Sequence, residues 1–184
     1  IPVALDGEAM DGVQLVTQLN EIAGEHGIGR VDHVENRLVG IKSRELYEAP
    51  AALVLLQAHR ELEDLTLSRD QAQFKALVSA QISRMIYDGL WFAALHQDLR
   101  AYVESSQRHV SGTVRLKLFK GASQVVGRKS PHSLYQYELA TYDKGDTFDQ
   151  DAAQGFIQLH GLPLRTQTKV QMLGAGETMP MLGE

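Results

Sequence analysis

The sequence of 184 residues contains no cysteine. This absence excludes a disulfide framework and every metal site that needs thiolate ligands, and it fits a reducing compartment such as the cytoplasm. A chain of this length buries roughly 70% of its unfolded surface on folding. We therefore expect a cytoplasmic protein whose core holds it together without covalent cross-links.

Long apolar runs and an excess of positive charge are also missing. No stretch reaches the roughly 20 apolar residues that a membrane-spanning helix needs, and the start is not a signal peptide. The 18 basic and 23 acidic residues are interspersed, and the net charge is −5. The sequence has no stripe of basic residues of the kind that binds a phosphate backbone. Neither a membrane nor a nucleic acid is therefore an expected partner.

Two kinds of site have no support in the sequence. The seven histidines show no HxH or HExxH spacing, and no metal site is predicted. Ser43 and Ser133 have no evident His–Asp partners, so a serine nucleophile is not predicted. We assign no catalytic residue.

Helical periodicity covers the first half of the chain. Apolar residues at helical spacing predict a helix over about 8–24. Pro50 suits the first turn of a second helix, in which residues 51–56 are apolar all round and should be fully buried. Ser68 and Gln71 form a capping box that opens a long third helix ending at Gly89, and a fourth helix follows.

Extended segments fall between and after these helices. Residues 1–5 predict a strand, and residues 28–48 predict an extended, hairpin-like segment. The alternation over 113–119 and 124–128 predicts a second hairpin with its turn at Lys120-Gly121. Because helices and strands form separate blocks, we predict an α+β fold with an antiparallel sheet and packed helices.

The last part of the chain is less regular. A loop is predicted over 129–149, and Asp149 is placed to cap a short helix. The segment 174–184 contains Gly and Pro breaks and is interpreted as a mobile tail. The chain begins mid-strand without Met, so we expect it to be a piece of a longer protein.

The segment 28–48 concentrates charge. It holds three Arg, one Lys, three Glu and one Asp, a density that neither a core strand nor a solvated helix needs but that suits a pocket for a small zwitterion. Glu35 and Tyr47 are the sharpest candidates, because a carboxylate pairs with a ligand ammonium and a phenol bonds a carboxylate or ureido group. The alternatives are a surface Glu35 paired with Arg37 or Arg30, and a packing role for Tyr47.

A family resemblance follows from longer motifs. Val34-Glu-Asn-Arg-Leu-Val-Gly-Ile-Lys-Ser-Arg44 precedes Tyr47-Glu-Ala-Pro50. Further blocks follow in order: Ala58-His-Arg-Glu-Leu-Glu63, Leu65-Thr-Leu67, Tyr87-Asp-Gly-Leu-Trp-Phe92, Gln107 to Gly121, Val126-Gly-Arg-Lys-Ser-Pro131, Ser133-Leu-Tyr135, Leu139-Ala-Thr-Tyr142 and Ala153-Gln-Gly-Phe-Ile157. Together they resemble the C-terminal half of argininosuccinate synthase over about residues 1–165.

The resemblance implies a function and a site. Members of this family join citrulline and aspartate to argininosuccinate at the expense of ATP, which becomes AMP and pyrophosphate. By motif match, Glu35 and Tyr47 would contact citrulline as orienting groups. ATP with its Mg, and aspartate, would bind mainly in an N-terminal half whose Ser-Gly-Gly-Leu-Asp-Thr-Ser phosphate loop has no counterpart here. The chain alone would then be inactive.

The resemblance also implies assembly. Family members are homotetramers, so residues 1–165 are expected to form a synthetase and multimerisation domain, and residues 166–184 a tail that contributes oligomer contacts. One alternative is a non-catalytic, self-associating module derived from such an enzyme. Another is an unrelated amino-acid-binding domain.

Overall fold

The structure is a computed structural model, which describes residues 1–141 and 147–172. The chain divides into two compact units, Ile1–Tyr135 and Gln136–Glu184. The predicted functional division at residue 165 stays a prediction.

The first unit contains six strands, four α-helices and a short 3₁₀ helix at Gln107–His109. In chain order the strands and α-helices are β1 (Ala4–Leu5), β2 (Glu8–Ala9), α1 (Gly12–Glu25), β3 (Arg30–Asn36), β4 (Lys42–Glu48), α2 (Pro50–Thr66), α3 (Arg69–Tyr87), α4 (Ala94–Ser106), β5 (Thr113–Phe119) and β6 (Ala122–Lys129). The strands pair as three two-stranded antiparallel sheets, β1–β2, β3–β4 and β5–β6. The α+β prediction is confirmed, although the strands form three separate hairpins.

The start of α1 differs from the prediction. Glu8 and Ala9 are extended and pair with β1, because Asp6 and Gly7 both take positive φ and reverse the chain in a tight turn. The helix begins after Asp11, whose carboxylate accepts hydrogen bonds of 2.9 Å from the backbone N–H groups of Val13 and Gln14. A side-chain cap of this kind fixes where a helix begins.

The burial of α2 also differs from the prediction. Within residues 51–56, Ala51 and Val54 are only 2% and 5% exposed, whereas Leu53 and Leu56 are 39% and 65% exposed. Ala51 and Val54 are three positions apart, so they share the stripe that packs on α1. An apolar sequence alone does not reveal that only one stripe meets a neighbour within the chain.

The strand predicted over 1–5 is present only at Ala4–Leu5, whereas three other local signals are confirmed. Pro50 lies in the first turn of α2, and Ser68 and Gln71 form a reciprocal capping box at the start of α3. The second hairpin turns at Lys120 and Gly121, both of which have positive φ.

One hydrophobic core joins α1, α2 and the segment between them. Its buried members are Leu15, Leu19, Ala23, Ile28, Ala51 and Val54, with Leu116 and Leu118 of β5 packed against them. Asn20 of α1 accepts a hydrogen bond of 2.9 Å from the backbone N–H of Ala51. That bond satisfies an N–H group in the first turn of α2, which has no partner within the helix.

Gly29 fixes the base of the β3–β4 hairpin against α2. Its carbonyl accepts a hydrogen bond of 2.8 Å from the N–H of Ala49. It has a φ of +98°, and a Cβ at this position would lie 2.4 Å from the nitrogen of Pro50. Only glycine adopts this φ readily and has no Cβ to clash with Pro50. The bond between Ala49 and Gly29 joins the two ends of the hairpin where α2 begins.

The described residues of the second unit form helices. It contains α5 (Tyr137–Ala140), α6 (Asp151–His160) and α7 (Leu162–Gln167), followed by a π-helical segment, Thr168–Met172. Asp149 accepts bonds of 3.1 Å and 3.3 Å from the N–H groups of Asp151 and Ala152, as the predicted cap requires. The loop predicted over 129–149 was wrong in part, because β6 extends to Lys129 and α5 interrupts it. The tail predicted over 174–184 lies outside the described residues.

We expect Leu15→Ala to lower the free energy of unfolding of the chain by about 2–5 kcal/mol, because Leu15 is fully buried at the centre of the core. Val13→Ala, an exposed position on the same helix, is the control and should change stability by no more than about 0.5 kcal/mol. Urea unfolding followed by circular dichroism measures both. Equal effects would contradict the assignment of the core.

Candidate functional site

The register of the first long hairpin decides which side chains share a face. Strands β3 and β4 pair with Val31 opposite Tyr47, and with Glu35 opposite Ser43. Side chains alternate between the two faces of a strand, and directly paired residues lie on the same face. Glu35 and Tyr47 therefore share one face. This face, here called the site face, carries Val31, His33, Glu35, Ser43, Glu45 and Tyr47.

The carboxylate of Glu35 is the most contacted group on the site face. Its Oε1 accepts a hydrogen bond of 2.6 Å from Arg37 Nη1 and one of 3.3 Å from the Tyr87 hydroxyl. Its Oε2 lies 3.6 Å from Nε2 of His33. The side chain is 17% exposed, so the carboxylate is largely shielded from solvent but is not fully buried.

Electrostatics keep Glu35 ionised. The hydrogen bond from Arg37 is the largest cause that holds its pKa below the ordinary value, against a smaller opposing effect of partial burial. His33, the charge of Arg37 and the Tyr87 hydroxyl lower this pKa further. A carboxylate in this state accepts hydrogen bonds and attracts cations at neutral pH.

Tyr47 lies beside the same group and is half exposed. Its ring centroid is 5.5 Å from that of His33. Partial burial raises the pKa of the Tyr47 phenol, and the negative charges of Glu35 and Glu45 raise it further. The phenol is thus protonated at neutral pH and able to donate a hydrogen bond.

Tyr87 is the site residue that sequence reasoning missed. It ends α3 and reaches Glu35 from 52 positions further along the chain. The sequence offers no local signal for this contact, because Tyr87 stands in an amphipathic helix where a tyrosine is an ordinary packing residue. The only hint was its place in one of the ordered family blocks.

The opposite face of the hairpin accounts for much of the remaining charge. Arg44 donates two hydrogen bonds to Asp32, of 2.9 Å and 2.6 Å. Arg30 pairs with Glu48 at 3.5 Å, and Lys42 donates to Asn36 at 2.5 Å. We call this set the ladder face. The interpretation of the whole charge density as a pocket was therefore too broad, because these groups bond one another across the strands.

The simpler alternative for Glu35 is part of the structure, since Arg37 does pair with it. An ion pair with Arg37 alone does not explain the contacts of Glu35 with Tyr87 and His33. An acid, two phenols and an imidazole meet on one face of the hairpin and at the end of α3. Surface ion pairs contribute little to folding stability. The stability of the hairpin therefore does not account for this cluster of polar side chains.

Two further structural findings concern the described residues only. Among them, no group of three or more His, Cys, Asp or Glu side chains is arranged to hold a metal ion. In the same part of the chain, no helix combines the length and apolarity needed to cross a bilayer.

Comparison with known proteins defines the class. The model of the family described as "Arginosuccinate synthase C-terminal domain" matches residues 1–167. The chain belongs to this family. The predicted resemblance is confirmed, and so is its coverage of about residues 1–165.

Several argininosuccinate synthases are close in sequence. That of Dehalococcoides mccartyi strain 195 is 61% identical over 171 residues, which are 93% of this chain and 42% of the relative. Those of Listeria welshimeri and Listeria innocua are each 58% identical over 170 residues, which are 92% of this chain and 42% of either relative. The chain thus spans less than half the length of these relatives.

We expect Arg37→Gln to raise the pKa of Glu35 toward the ordinary glutamate value, because it removes the largest cause of the lowering. In the unsubstituted chain the stabilisation from this ionised group is complete above the ordinary carboxyl pKa. It is lost as the pH falls through the lower, folded value. NMR titration of the ¹³C-labelled side-chain carboxyl measures the pKa.

Arg44→Gln is the matched control for that titration. It removes an Arg–carboxylate pair from the ladder face, so it should raise the pKa of Asp32 and leave that of Glu35 unchanged. If Arg37→Gln leaves the Glu35 pKa where it was, the electrostatic description of the site face is wrong.

Proposed function

We propose that this chain is the citrulline-contacting and subunit-associating part of an argininosuccinate synthase. The observation that carries the proposal is the shared face of Glu35 and Tyr47, two residues that also match the citrulline contacts implied by the family motif. In the complete enzyme, citrulline and aspartate would be ligated with ATP as co-substrate, in the service of arginine biosynthesis.

The charges of the site face suit a zwitterionic amino acid. Glu35 Oε1 already accepts two hydrogen bonds, whereas the contact of Oε2 within the described residues is with His33 Nε2, at 3.6 Å. Oε2 is therefore the oxygen available to the α-ammonium of citrulline. The protonated Tyr47 phenol would donate to the citrulline carboxylate or ureido oxygen. A charge-assisted hydrogen bond of this kind contributes roughly 1.5–3 kcal/mol.

The reaction explains why such a site orients its substrate. The ureido oxygen of citrulline attacks the α-phosphate of ATP, and pyrophosphate leaves. The amine of aspartate then displaces AMP to give argininosuccinate. Holding the attacking oxygen in line contributes a large share of the rate. Glu35, whose pKa lies below its ordinary value, is poorly matched to proton abstraction at neutral pH, so its role is orientation.

Self-association is the second part of the proposal. Leu56 of α2 and Leu77 of α3 are 65% and 68% exposed in the isolated chain. These exposed side chains are available to a protein partner, and the family resemblance implies a homotetramer. A non-catalytic self-associating module uses the same surfaces, so only an activity measurement separates the two candidates.

The test joins this chain to the N-terminal part of the argininosuccinate synthase of Dehalococcoides mccartyi, to give a complete enzyme. We expect pyrophosphate release that requires citrulline, aspartate and ATP together. The unmodified Dehalococcoides enzyme is the positive control. A folded, oligomeric fusion that releases no pyrophosphate would leave the non-catalytic module as the better description.

In the complete enzyme, Glu35→Gln should raise the KM for citrulline about 10-fold or more, because it removes the charge that pairs with the ammonium. The KM for ATP should change less than about twofold, since ATP would bind elsewhere. Steady-state kinetics with each substrate varied in turn provide both values.

Glu48→Gln is the matched control, because Glu48 lies on the ladder face and is highly exposed. It should leave all three KM values unchanged. If Glu35→Gln raises the KM values for citrulline and ATP equally, the specific role of Glu35 in citrulline binding is refuted.

A further inference from the structure

One contact links the candidate site to the body of the first unit. Arg37 and His33, two of the neighbours of Glu35, belong to the hairpin and its turn and lie two positions from it in sequence. Tyr87 belongs to α3. Its hydroxyl therefore ties the Glu35 carboxylate to a long helix outside the hairpin.

The end of α3, which carries that hydroxyl, is held in place by a buried side chain and by backbone hydrogen bonds. Met85, two positions before Tyr87, is buried. Beyond Tyr87 the helix closes with backbone bonds of 2.9 Å from Asp88 N–H to the Arg84 carbonyl, and of 2.8 Å from Leu90 N–H to the Met85 carbonyl. Gly89 takes a φ of +73° there, as helix ends often do. The tyrosine thus projects from a well-capped helix end.

The last torsion of a glutamate side chain is broad and weakly restrained. A single donor would leave the carboxylate free to exchange its two oxygens. Two donors on Oε1, Arg37 at 2.6 Å and Tyr87 at 3.3 Å, select one orientation, in which the hydrogen bonds of both donors fall on Oε1 and not on Oε2. Which oxygen faces a ligand is therefore decided by the pair of donors.

We propose that Tyr87 is a positioning residue of the citrulline site, which acts by holding the Glu35 carboxylate with Oε2 toward the substrate ammonium. This inference rests on the proposed function and assigns a further residue to it. Tyr87 does not touch the substrate in this scheme. Its hydroxyl is needed only as a donor, and the partial burial that raises the pKa of this phenol keeps its proton in place at neutral pH.

The test is Tyr87→Phe in the complete enzyme, since phenylalanine keeps the ring and removes only the donor. We expect the KM for citrulline to rise about 3- to 10-fold, the usual range for one hydrogen bond. The KM values for ATP and aspartate should stay within about twofold. Tyr102→Phe is the matched control, because the Tyr102 ring packs on Phe74, and it should change none of these values.

A double-mutant cycle tests whether Tyr87 acts through Glu35. In the Glu35→Gln background, Tyr87→Phe should have little further effect on the citrulline KM. NMR adds a readout that does not depend on activity. Because the Tyr87 hydroxyl helps to lower the pKa of Glu35, Tyr87→Phe should raise that pKa in the chain itself.

The outcomes separate this inference from the proposed function. If Tyr87→Phe leaves the citrulline KM unchanged while Glu35→Gln raises it, the positioning role is overturned and the citrulline site stands. An equal effect of Tyr87→Phe with and without Glu35 also overturns the role, since Tyr87 would then act independently. If neither substitution affects citrulline, the proposed function fails as well.

Discussion

The antiparallel pairing of β3 with β4 is the constraint on which the candidate site depends. With Val31 opposite Tyr47 and Ser43 opposite Glu35, the acid and the phenol project from one face. Because side chains alternate along a strand, a slip of one strand by one residue would send its whole set to the other face. The site therefore exists only in this register.

Two features of the chain hold the register. At the base, Gly29 has no room for a side chain against Pro50 and bonds the backbone of Ala49. On the ladder face, Asp32 and Arg44 form a two-bond pair across the strands. Each exposed ion pair contributes little stability, but each of them forms only when β3 and β4 are paired in this register. The charges of the ladder face, which the sequence suggested as part of a pocket, thus serve to align the strands that carry the candidate site.

Local patterns made much of this structure predictable. The capping box at Ser68 and the turn at Lys120-Gly121 each lie within a few residues, and both were predicted correctly. The burial of residues 51–56 was not, because it depends on which stripe of α2 meets α1. The start of α1 was missed because helical periodicity was extended back over the short strand β2, ahead of the cap at Asp11.

The candidate site shows the same limit. Glu35 and Tyr47 are 12 positions apart on adjacent strands, so the hairpin pattern and the motif together found them. Tyr87 comes from a helix 52 positions away from Glu35, and only the tertiary packing brings its hydroxyl to the carboxylate. Such contacts have no signature in a single sequence.

The most direct measurement is a crystal structure of the complete enzyme with citrulline bound. The account predicts the α-ammonium within hydrogen-bond distance of Glu35 Oε2, and the Tyr47 hydroxyl on a citrulline carboxylate or ureido oxygen. Citrulline bound away from the site face, with Glu35 still occupied only by Arg37, His33 and Tyr87, would contradict it.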